Sequence, residues 1–166
     1  AEMGGTKALC INHEVGNVSL DDRCAGFAEG FGGEVIVLPT TNDPGEIEAK
    51  VKASLDSDES IDTVMALGAS LAGEPAVAAV KAVGGEGSIR VGSFDLSAGF
   101  LESVASGEAA FAIDQQQYLQ GYLPVAFLAL HAQYGLVPGG NVPSGPNLIT
   151  ADKAAQVVEL SAKGIR

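Results

Sequence analysis

The side chains best suited to bind a ligand are polar groups that follow five short apolar runs of the sequence. They are mainly amides, carboxylates and hydroxyls, joined by one arginine, Arg23. The residues that follow the five runs, with three small residues among them, are His13, Glu14, Gly16 and Asn17; Thr40, Thr41, Asn42 and Asp43; Gly68, Ala69 and Ser70; Asp95; and Asp114, Gln115, Gln116 and Gln117. Planar guanidinium and carboxylate groups can each hold two neighbouring hydroxyl groups at once. These residue types therefore favour a site for a neutral, hydroxyl-rich ligand.

Motifs for catalysis, phosphate binding or metal binding are missing from the sequence. It has no G-x-S-x-G, H-E-x-x-H or G-x-x-x-x-G-K-[ST] pattern, and no G-x-G-x-x-G follows the first apolar run. His13 and Glu14 are adjacent, but a metal site needs at least a third ligand, and the other histidine, His131, lies in an apolar segment. The loop HEVGNVSLDD carries one glycine and ends in acids, which disfavours a nucleotide site. We therefore expect no enzyme activity, no cofactor and no metal centre.

The apolar runs are predicted to be strands separated by helices. The predicted strands are Lys7–Asn12, Glu34–Leu38, Asp62–Leu67, Ile89–Phe94 and Ala110–Ile113. The helical signals are the faces Leu20, Cys24, Phe27, Phe31 and Ile47, Val51, Leu55, and the segments Gly73–Val83 and Ala98–Ser106. This alternation predicts an α/β fold, a doubly wound parallel sheet over residues 7–115 that is covered on both faces. Ligands bind outside the carboxyl ends of such strands, which is where the polar residues fall.

Composition narrows the function classes further. The 166 residues suit one domain with a substantial core. Lys and Arg number 9 against 21 Asp and Glu, a net charge of −12, so the chain lacks the basic surface that nucleic acid binding requires. No apolar run reaches the roughly 20 residues of a membrane span, and the N-terminus lacks the layout of a signal peptide. We therefore expect a soluble, globular protein that binds no nucleic acid.

The two cysteines, Cys10 and Cys24, fall on the first predicted strand and on the helix that follows it. Their side chains could meet where that helix packs on the sheet, and in an exported protein they could form a disulfide. Two free, buried thiols that act as small apolar side chains are the favoured alternative. The cysteine count does not settle the compartment.

Residues 117–135 (QYLQGYLPVAFLALHAQYG) form a predicted helix with little polar circumference. Its apolar residues are Leu119, Tyr122, Leu123, Val125, Phe127, Leu128 and Leu130. A helix that is apolar on several sides is normally covered on several sides. If it were left bare, it would expose a large apolar patch, so we expect self-association of the chain through the helix 117–135.

The first five residues, AEMGG, are typical of the last turn of a helix that ends at Gly4 or Gly5. A helix end without its helix leads us to expect a chain cut from something longer. A disordered terminus or a cloning remnant is the alternative.

Three blocks of the sequence resemble one known family. They are R-x-x-G-F (Arg23, Gly26, Phe27), G-x-F-D (Gly92, Phe94, Asp95), and I-D-Q-Q leading to Q-G-Y (Ile113–Gln116, Gln120–Tyr122). In order and spacing they resemble the type I periplasmic sugar-binding proteins, the ribose-binding-like receptors of sugar ABC transporters, from Lys7 to about Thr150. In that family two α/β lobes of flavodoxin-like strand order are joined by crossing strands, and the ligand is held between them.

The resemblance implies a domain organisation. Residues 1–115 would be the carboxyl-terminal lobe, residues 116–150 a crossover helix and strand that pack on an amino-terminal lobe missing from this sequence, and residues 151–166 a C-terminal helix or tail.

The resemblance also implies ligand contacts. Arg23 and Asp95 would hold ring hydroxyls, and Gln115 would lie at the crossing between lobes. Asn42 replaces a ligand-facing residue that is often aromatic, and Gly68 replaces an Asn or Asp; both changes bear on which sugar is bound. His13 and Glu14 are candidates at the rim, although a loop role is favoured for both.

Structural alternatives exist for these residues. Asp95 could cap the helix that begins near Ser97. Arg23 could pair with a neighbouring aspartate on the surface, and Gln115 could be a solvated linker residue. Tyr118 and Tyr122 are predicted to pack rather than to stack on a sugar.

The resulting functional hypothesis is the solute-binding component of an ABC-type sugar uptake system. Its partners would be a sugar or polyol and a membrane permease, and the protein would be periplasmic or otherwise exported. One alternative is the effector-binding domain of a lac-repressor-type transcription regulator, which would need an upstream helix-turn-helix segment. An enzyme on a flavodoxin-like sheet is the least favoured alternative.

Overall fold

Within residues 4–166, which the computed structural model describes, the chain forms six strands and six helices. The strands are β1 (Lys7–Asn12), β2 (Glu34–Pro39), β3 (Thr63–Ala66), β4 (Arg90–Phe94), β5 (Phe111–Asp114) and β6 (Asn147–Ile149). The helices are α1 (Val18–Phe31), α2 (Pro44–Ser57), α3 (Glu74–Ala82), α4 (Ala98–Ser106), α5 (Gln117–Tyr134) and α6 (Ala151–Ala162). A π-helical turn, Ala69–Gly73, leads into α3. The predicted helix end over AEMGG rests mainly on residues 1–3, which lie outside the described residues.

The strands form one sheet in the order β2-β1-β3-β4-β5-β6. The first five strands are parallel, and their register places Cys10 of β1 opposite Val37 of β2 and Met65 of β3. The order 2-1-3-4-5 is the flavodoxin-like arrangement of a doubly wound fold. The predicted α/β fold class is therefore confirmed, and all five predicted strands are present with small shifts at their ends.

The sixth strand differs from the expectation for residues 116–150. β6 pairs antiparallel with β5, where Ala112 lies opposite Ile149. Ile149 is buried in the main core together with Ala154 and Val157 of α6, and α6 packs against α4. Burying these apolar side chains stabilises the return of the chain onto this sheet. The prediction that the strand of residues 116–150 packs on a second lobe is therefore wrong, because β6 is the edge strand of this sheet.

The two faces of the sheet are covered to different extents. On one face Leu9, Val64 and Val91 pack under helices α2, α3, α4 and α6. On the opposite face, Cys10 and Leu67 pack under α1, the one helix of the described residues in that cluster. Successive residues of a strand point to opposite faces, so Leu9 and Cys10 mark the division. The second core is much smaller than the first.

Cys10 on β1 and Cys24 on α1 form a disulfide, with their Cα atoms 5.8 Å apart. They meet because Leu20 and Cys24 form the buried face of α1 over the sheet. The preference for two free thiols is therefore wrong in this structure. A crosslink that closes a loop of about 15 residues stabilises a fold by about 3 kcal/mol.

Capping side chains fix where the helices begin beside the carboxyl ends of the strands. The side chains of Asn17, Asp43 and Ser97 accept hydrogen bonds from backbone N–H groups in the first turns of α1, α2 and α4. Such caps satisfy N–H groups that have no partner within the helix, each contributing about 1 kcal/mol. The loops that carry the candidate ligand contacts are thereby anchored.

Helix α5 matches the helix predicted over residues 117–135 and is the longest in the described chain. It buries none of its residues in this chain. Across residues 4–166, no helix combines the length and the hydropathy that crossing a membrane would require.

Candidate functional site

Arg23 lies in the second turn of α1, and its partly buried side chain reaches the carboxyl edge of the sheet. Its Nη1 donates to the carbonyl oxygen of Leu67 at 3.1 Å, and its Nη2 donates to Oε1 of Gln115 at 3.3 Å. The guanidinium carbon lies 4.7 Å from the centre of the Phe94 ring, a cation–π distance. Arg23 makes no ion pair within residues 4–166, so the surface pairing with Asp21 or Asp22 is absent there. Its remaining N–H groups are available to a ligand.

Gln115, at the end of β5, joins Arg23 to Asp95. Its side-chain Oε1 accepts from Arg23, and its Nε2 donates to Oδ1 of Asp95. Oδ1 also accepts from Nε2 of Gln117 at 2.7 Å. Among the described residues, these donors all go to Oδ1, which leaves Oδ2 of Asp95 as an open acceptor. Gln115 is thus a bridging residue of this edge and not a solvated linker.

Two residues of this edge have left-handed backbones that are uncommon for side chains with a Cβ atom. Asp95 has φ of 66° and Gln116 has φ of 54°. Such conformations cost about 1–3 kcal/mol and tend to occur at functional sites. Asp95 does not cap the next helix, because the cap of α4 is Ser97, whose Oγ accepts from the backbone N–H of Phe100 at 3.2 Å. The strained turn directs the Asp95 carboxylate toward Gln115.

His13 and Gly68 lie together at the ends of β1 and β3. A Cβ atom on Gly68 would lie 3.3 Å from Cε1 of His13, so the glycine leaves room for the imidazole. Burial lowers the pKa of His13 below its usual 6.5, and the charge of Arg23 lowers it further, whereas Glu14 and Asp95 raise it. The lowered pKa favours the neutral form of the His13 imidazole. Its Nδ1 is buried and finds no hydrogen-bond partner within the described chain.

Glu14 and Asn42, two of the predicted contacts, are not brought into this cluster. Glu14 is exposed and accepts from Nδ2 of Asn17 at 2.9 Å, so it belongs to the loop that caps α1. Asn42 is exposed in the loop after β2, the strand at the opposite edge of the sheet from β5 and β6. The cluster at the edge therefore consists of Arg23, Asp95 and Gln115, with His13 and Gly68 beside them.

The structure brings further residues to the site that were not among the predicted ligand contacts, chiefly residues 144–146. A cleft of about 280 Å³ opens beside the cluster, and it is lined by Phe94, Gln115, Gln120, Ser144, Gly145 and Pro146. Gln120 Nε2 donates to the carbonyl oxygen of Gln115 at 2.9 Å and to Oγ of Ser144 at 3.1 Å. Residues 137–146 come near this edge because β6 returns the chain to β5, a long-range pairing with no local sequence signal. Phe94, in contrast, directly precedes Asp95 in the G-x-F-D block.

The arrangement suits binding of hydroxyl groups. It places a guanidinium with free N–H groups, an open carboxylate oxygen and amide groups around an aromatic ring. Charge-assisted hydrogen bonds of this kind are about twice as strong as neutral ones. An apolar ring face beside them suits the C–H face of a cyclic polyol.

The chain is similar in sequence to a known protein family and to a curated protein. A family model described as periplasmic binding protein domain matches residues 1–136. The xylose/arabinose-binding protein XylF of Sulfolobus acidocaldarius is 36% identical over 72 residues, which cover 43% of this chain and 18% of that protein.

Solved structures show the same fold. The carbohydrate transporter from Acidothermus cellulolyticus 11B in complex with myo-inositol is 31% identical, with a TM-score of 0.89 over 99% of this chain and 58% of that chain. The periplasmic ribose ABC transporter from Conexibacter woesei is 20% identical, with a TM-score of 0.78 over 97% of this chain and 55% of that one. The chain thus spans little more than half the length of these structures.

Proposed function

The chain belongs to the periplasmic binding protein domain family, and we propose that it binds a sugar or cyclic polyol as the solute-binding part of an ABC-type uptake system. Proteins of this family bind substrates, and the similar proteins are sugar-binding and carbohydrate transport proteins. The observation that carries the proposal is the chain of contacts from Arg23 through Gln115 to Asp95 at the carboxyl edge of the sheet.

The ligand we propose is a cyclic polyol or a pentose. The relative at 31% identity is described in complex with myo-inositol, and the curated relative is named for xylose and arabinose. Neighbouring ring hydroxyls would take the free N–H groups of Arg23 and Oδ2 of Asp95 as partners. A site that hydrogen-bonds each hydroxyl strongly rejects analogues that lack one.

We further propose that this lobe supplies one wall of the site and that a second lobe closes over the ligand. The coverage of 58% of the myo-inositol-bound relative supports a site shared with a part that this chain does not include. Closure would turn about residues 114–117, where Asp114 accepts from the backbone N–H of Gln116 at 2.8 Å and from Nε of Arg166 at 2.8 Å. The closed state would be the form that a membrane permease recognises.

The Cys10–Cys24 disulfide supports an exported location for the protein. Disulfides persist in oxidising compartments, such as the bacterial periplasm, and are rare in the cytosol. The exported location remains part of the proposal.

Calorimetry and ligand-detected NMR test the binding role with matched variants. Myo-inositol, ribose, xylose and arabinose would each be titrated into the chain and into the variants Asp95→Asn and Arg23→Lys. Loss of one charge-assisted acceptor weakens binding by about tenfold or more, so Asp95→Asn should lose affinity for the preferred ligand. Asp56→Asn, which changes an exposed carboxylate paired with Lys52, should leave it unchanged.

The outcomes separate the parts of the proposal. Equal affinity in the chain and in Asp95→Asn would overturn the assigned contacts, and no detectable binding of any polyol, even at millimolar concentration, would count against the function. Because half of the partners would come from the second lobe, the 166-residue chain should bind weakly. Micromolar affinity of this chain alone would contradict the two-lobe arrangement.

A further inference from the structure

His13, the first residue after β1, has two ring nitrogens that make no hydrogen bond within residues 4–166. Its Nδ1 is buried, whereas Nε2 lies on the ring edge that faces Gly68, where a Cβ atom would approach it to 3.6 Å. The residue as a whole is only partly buried, so part of the ring stays accessible. A histidine without a protein partner at the edge of a binding site is available to a ligand.

The loop that carries His13 is anchored on both sides of the residue. Asn12, which precedes it, is buried and donates from Nδ2 to Oδ1 of Asp21 on α1 at 2.7 Å. Its Oδ1 accepts from the backbone N–H of Glu14 at 3.1 Å. The imidazole is therefore held in place before a ligand binds, which lowers the entropy that binding costs.

Gly68 provides space beside the imidazole. Its backbone is extended, with φ of −165°, so the conformation does not require a glycine. A Cβ atom there would lie 3.3 Å from Cε1 of His13, which is a tight contact. Leu67 precedes Gly68 and accepts from Nη1 of Arg23 at 3.1 Å. The space beside the imidazole therefore adjoins the position of the guanidinium.

The ring is held in a form that donates from Nε2. Burial, the largest cause, lowers the pKa of His13, which favours the neutral imidazole. A neutral imidazole carries a proton on one of its two nitrogens. On Nδ1 the proton would form a buried N–H without an acceptor, and such groups are rare in folded proteins. The proton therefore belongs on Nε2, on the side of Gly68.

The end of β1 lies across the sheet edge from Asp95. Only β3 separates β1 from β4, and neighbouring strands lie about 4.8 Å apart, so these two strand ends are about 10 Å apart. A six-membered ring with a hydroxyl group on either side can bridge this distance. Besides burial and Glu14, the charges of Arg23 and Asp95 act on the pKa of His13, as expected for groups around one space.

We propose that His13 is a specificity-determining residue, whose Nε2–H donates to a hydroxyl oxygen of the ligand in the space beside Gly68. This contact rests on the proposed function and adds the β1 side of the edge to the contacts of Arg23 and Asp95. His13 and Arg23 donate to hydroxyl oxygens, whereas Oδ2 of Asp95 accepts from a hydroxyl group. A ligand that lacks the hydroxyl group facing β1 leaves the Nε2–H unpaired and is bound more weakly.

Two substitutions separate the two ring nitrogens. Glutamine can place its amide nitrogen near the position of Nε2, whereas the shorter asparagine reaches only the position of Nδ1. His13→Asn should weaken binding about threefold to tenfold, as expected for one hydrogen bond, and His13→Gln should retain most of the affinity. Asp56→Asn, which changes an exposed carboxylate, is the control that should leave binding unchanged. Urea denaturation verifies that each variant is folded.

Analogues that lack one hydroxyl group distinguish a direct contact from a structural role. Myo-inositol, ribose and xylose, each with its monodeoxy analogues, would be titrated into the unmodified chain and into His13→Asn, with ligand-detected NMR as the measurement. The unmodified chain should bind one analogue about threefold to tenfold more weakly because His13 loses its partner, and His13→Asn should lack this part of the discrimination. The other analogues should lose affinity to the same extent in both proteins.

The outcomes separate this contact from the proposed function. If His13→Asn weakened the binding of every analogue equally, or left all affinities unchanged, the contact would be overturned and the proposed function would stand. Equal affinities of His13→Asn and His13→Gln would also overturn it. If the unmodified chain bound none of the parent compounds, the proposed function itself would fail together with the contact. Discrimination that is lost for one analogue in His13→Asn and recovered in His13→Gln is the expected result.

Discussion

The two faces of the sheet differ in what holds them together. The face under α2, α3, α4 and α6 forms a continuous core in which Phe100 and Leu101 have no exposed surface. The face under α1 has a small core that a disulfide crosslinks, with an open apolar cleft beside it. One face therefore contains most of the buried apolar side chains, whereas the other face and the adjoining edge leave more of their side chains accessible.

Truncating one phenylalanine on each face should give the largest difference in the free energy of unfolding. Phe100→Ala removes a fully buried ring and should lower the free energy of unfolding by about 3–5 kcal/mol. Phe27→Ala, on the α1 face, removes a ring that is already partly exposed and should cost no more than about 2 kcal/mol. Urea denaturation measures both. Equal losses would show that the α1 face is as well packed as the other.

Removing the disulfide should give the second largest loss of stability, and this loss should be concentrated on the α1 face. The double variant Cys10→Ala/Cys24→Ala should lose about 3 kcal/mol, since the crosslink limits the unfolded chain. Amide hydrogen exchange should show faster opening of α1 than of α3, whose Ala76 and Val80 belong to the larger core. If both helices lost protection equally, the two faces would form a single cooperative unit.

The left-handed backbone at Asp95 predicts that glycine is more stable than alanine at this position, the opposite of their order at a helical position. Asp95→Gly and Asp95→Ala both remove the carboxylate, but only glycine adopts φ of 66° without strain, so the glycine variant should be the more stable by about 1 kcal/mol. At Asp56, in the last turn of α2, the order should invert, because glycine is less favourable than alanine in a helix, by up to about 1 kcal/mol. Thermal unfolding of the four variants is the measurement. The same order at both positions would remove the argument for strain at the site.

The pH dependence of His13 is the smallest expected effect. Its folded pKa is lowered, chiefly by burial, so the unfolded chain binds the proton more readily. Stability that is present above pH 6.5 should therefore fall as the pH drops through the lowered folded pKa. The variant His13→Gln should lack this part of the decline. Urea denaturation of both proteins at each pH measures the free energy of unfolding, and the difference between them isolates His13 from Glu14, Arg23 and Asp95, which also affect its pKa. If the free energy of unfolding depended on pH in the same way in both proteins, the lowered pKa of His13 would be contradicted.

Local signals predicted most of the sheet and its helices. The apolar run Lys7–Asn12 and the helix Ala98–Ser106 have the predicted bounds, because burial and capping at these segments are encoded locally. β6 was misplaced because its partner, β5, lies more than 30 residues away and a strand of 3 residues carries little pattern. The disulfide between Cys10 and Cys24 was an open alternative and not the favoured one, because the sequence indicates that the two side chains can meet but not whether the thiols are oxidised.

The site was predicted in part. Arg23, Asp95 and Gln115 were expected from the ends of three elements, and the parallel sheet brings them together. The pairing of His13 with Gly68, and the contribution of Ser144, depend on contacts between distant segments. The ligand roles of all these residues remain predictions.

The location of the bound ligand can be measured from the side-chain amide resonances of Gln115 and Gln117 and the Nε resonance of Arg23. In an NMR titration of the chain with myo-inositol, these resonances should move together, and those of α5 beyond its first turn should not. The variant Asp95→Asn should suppress the shifts, whereas Asp56→Asn should keep them. Shifts confined to Gly26 and Phe27 of α1, or unchanged resonances at Gln115 and Arg23 while the ligand binds, would contradict the assignment of this edge as the binding site.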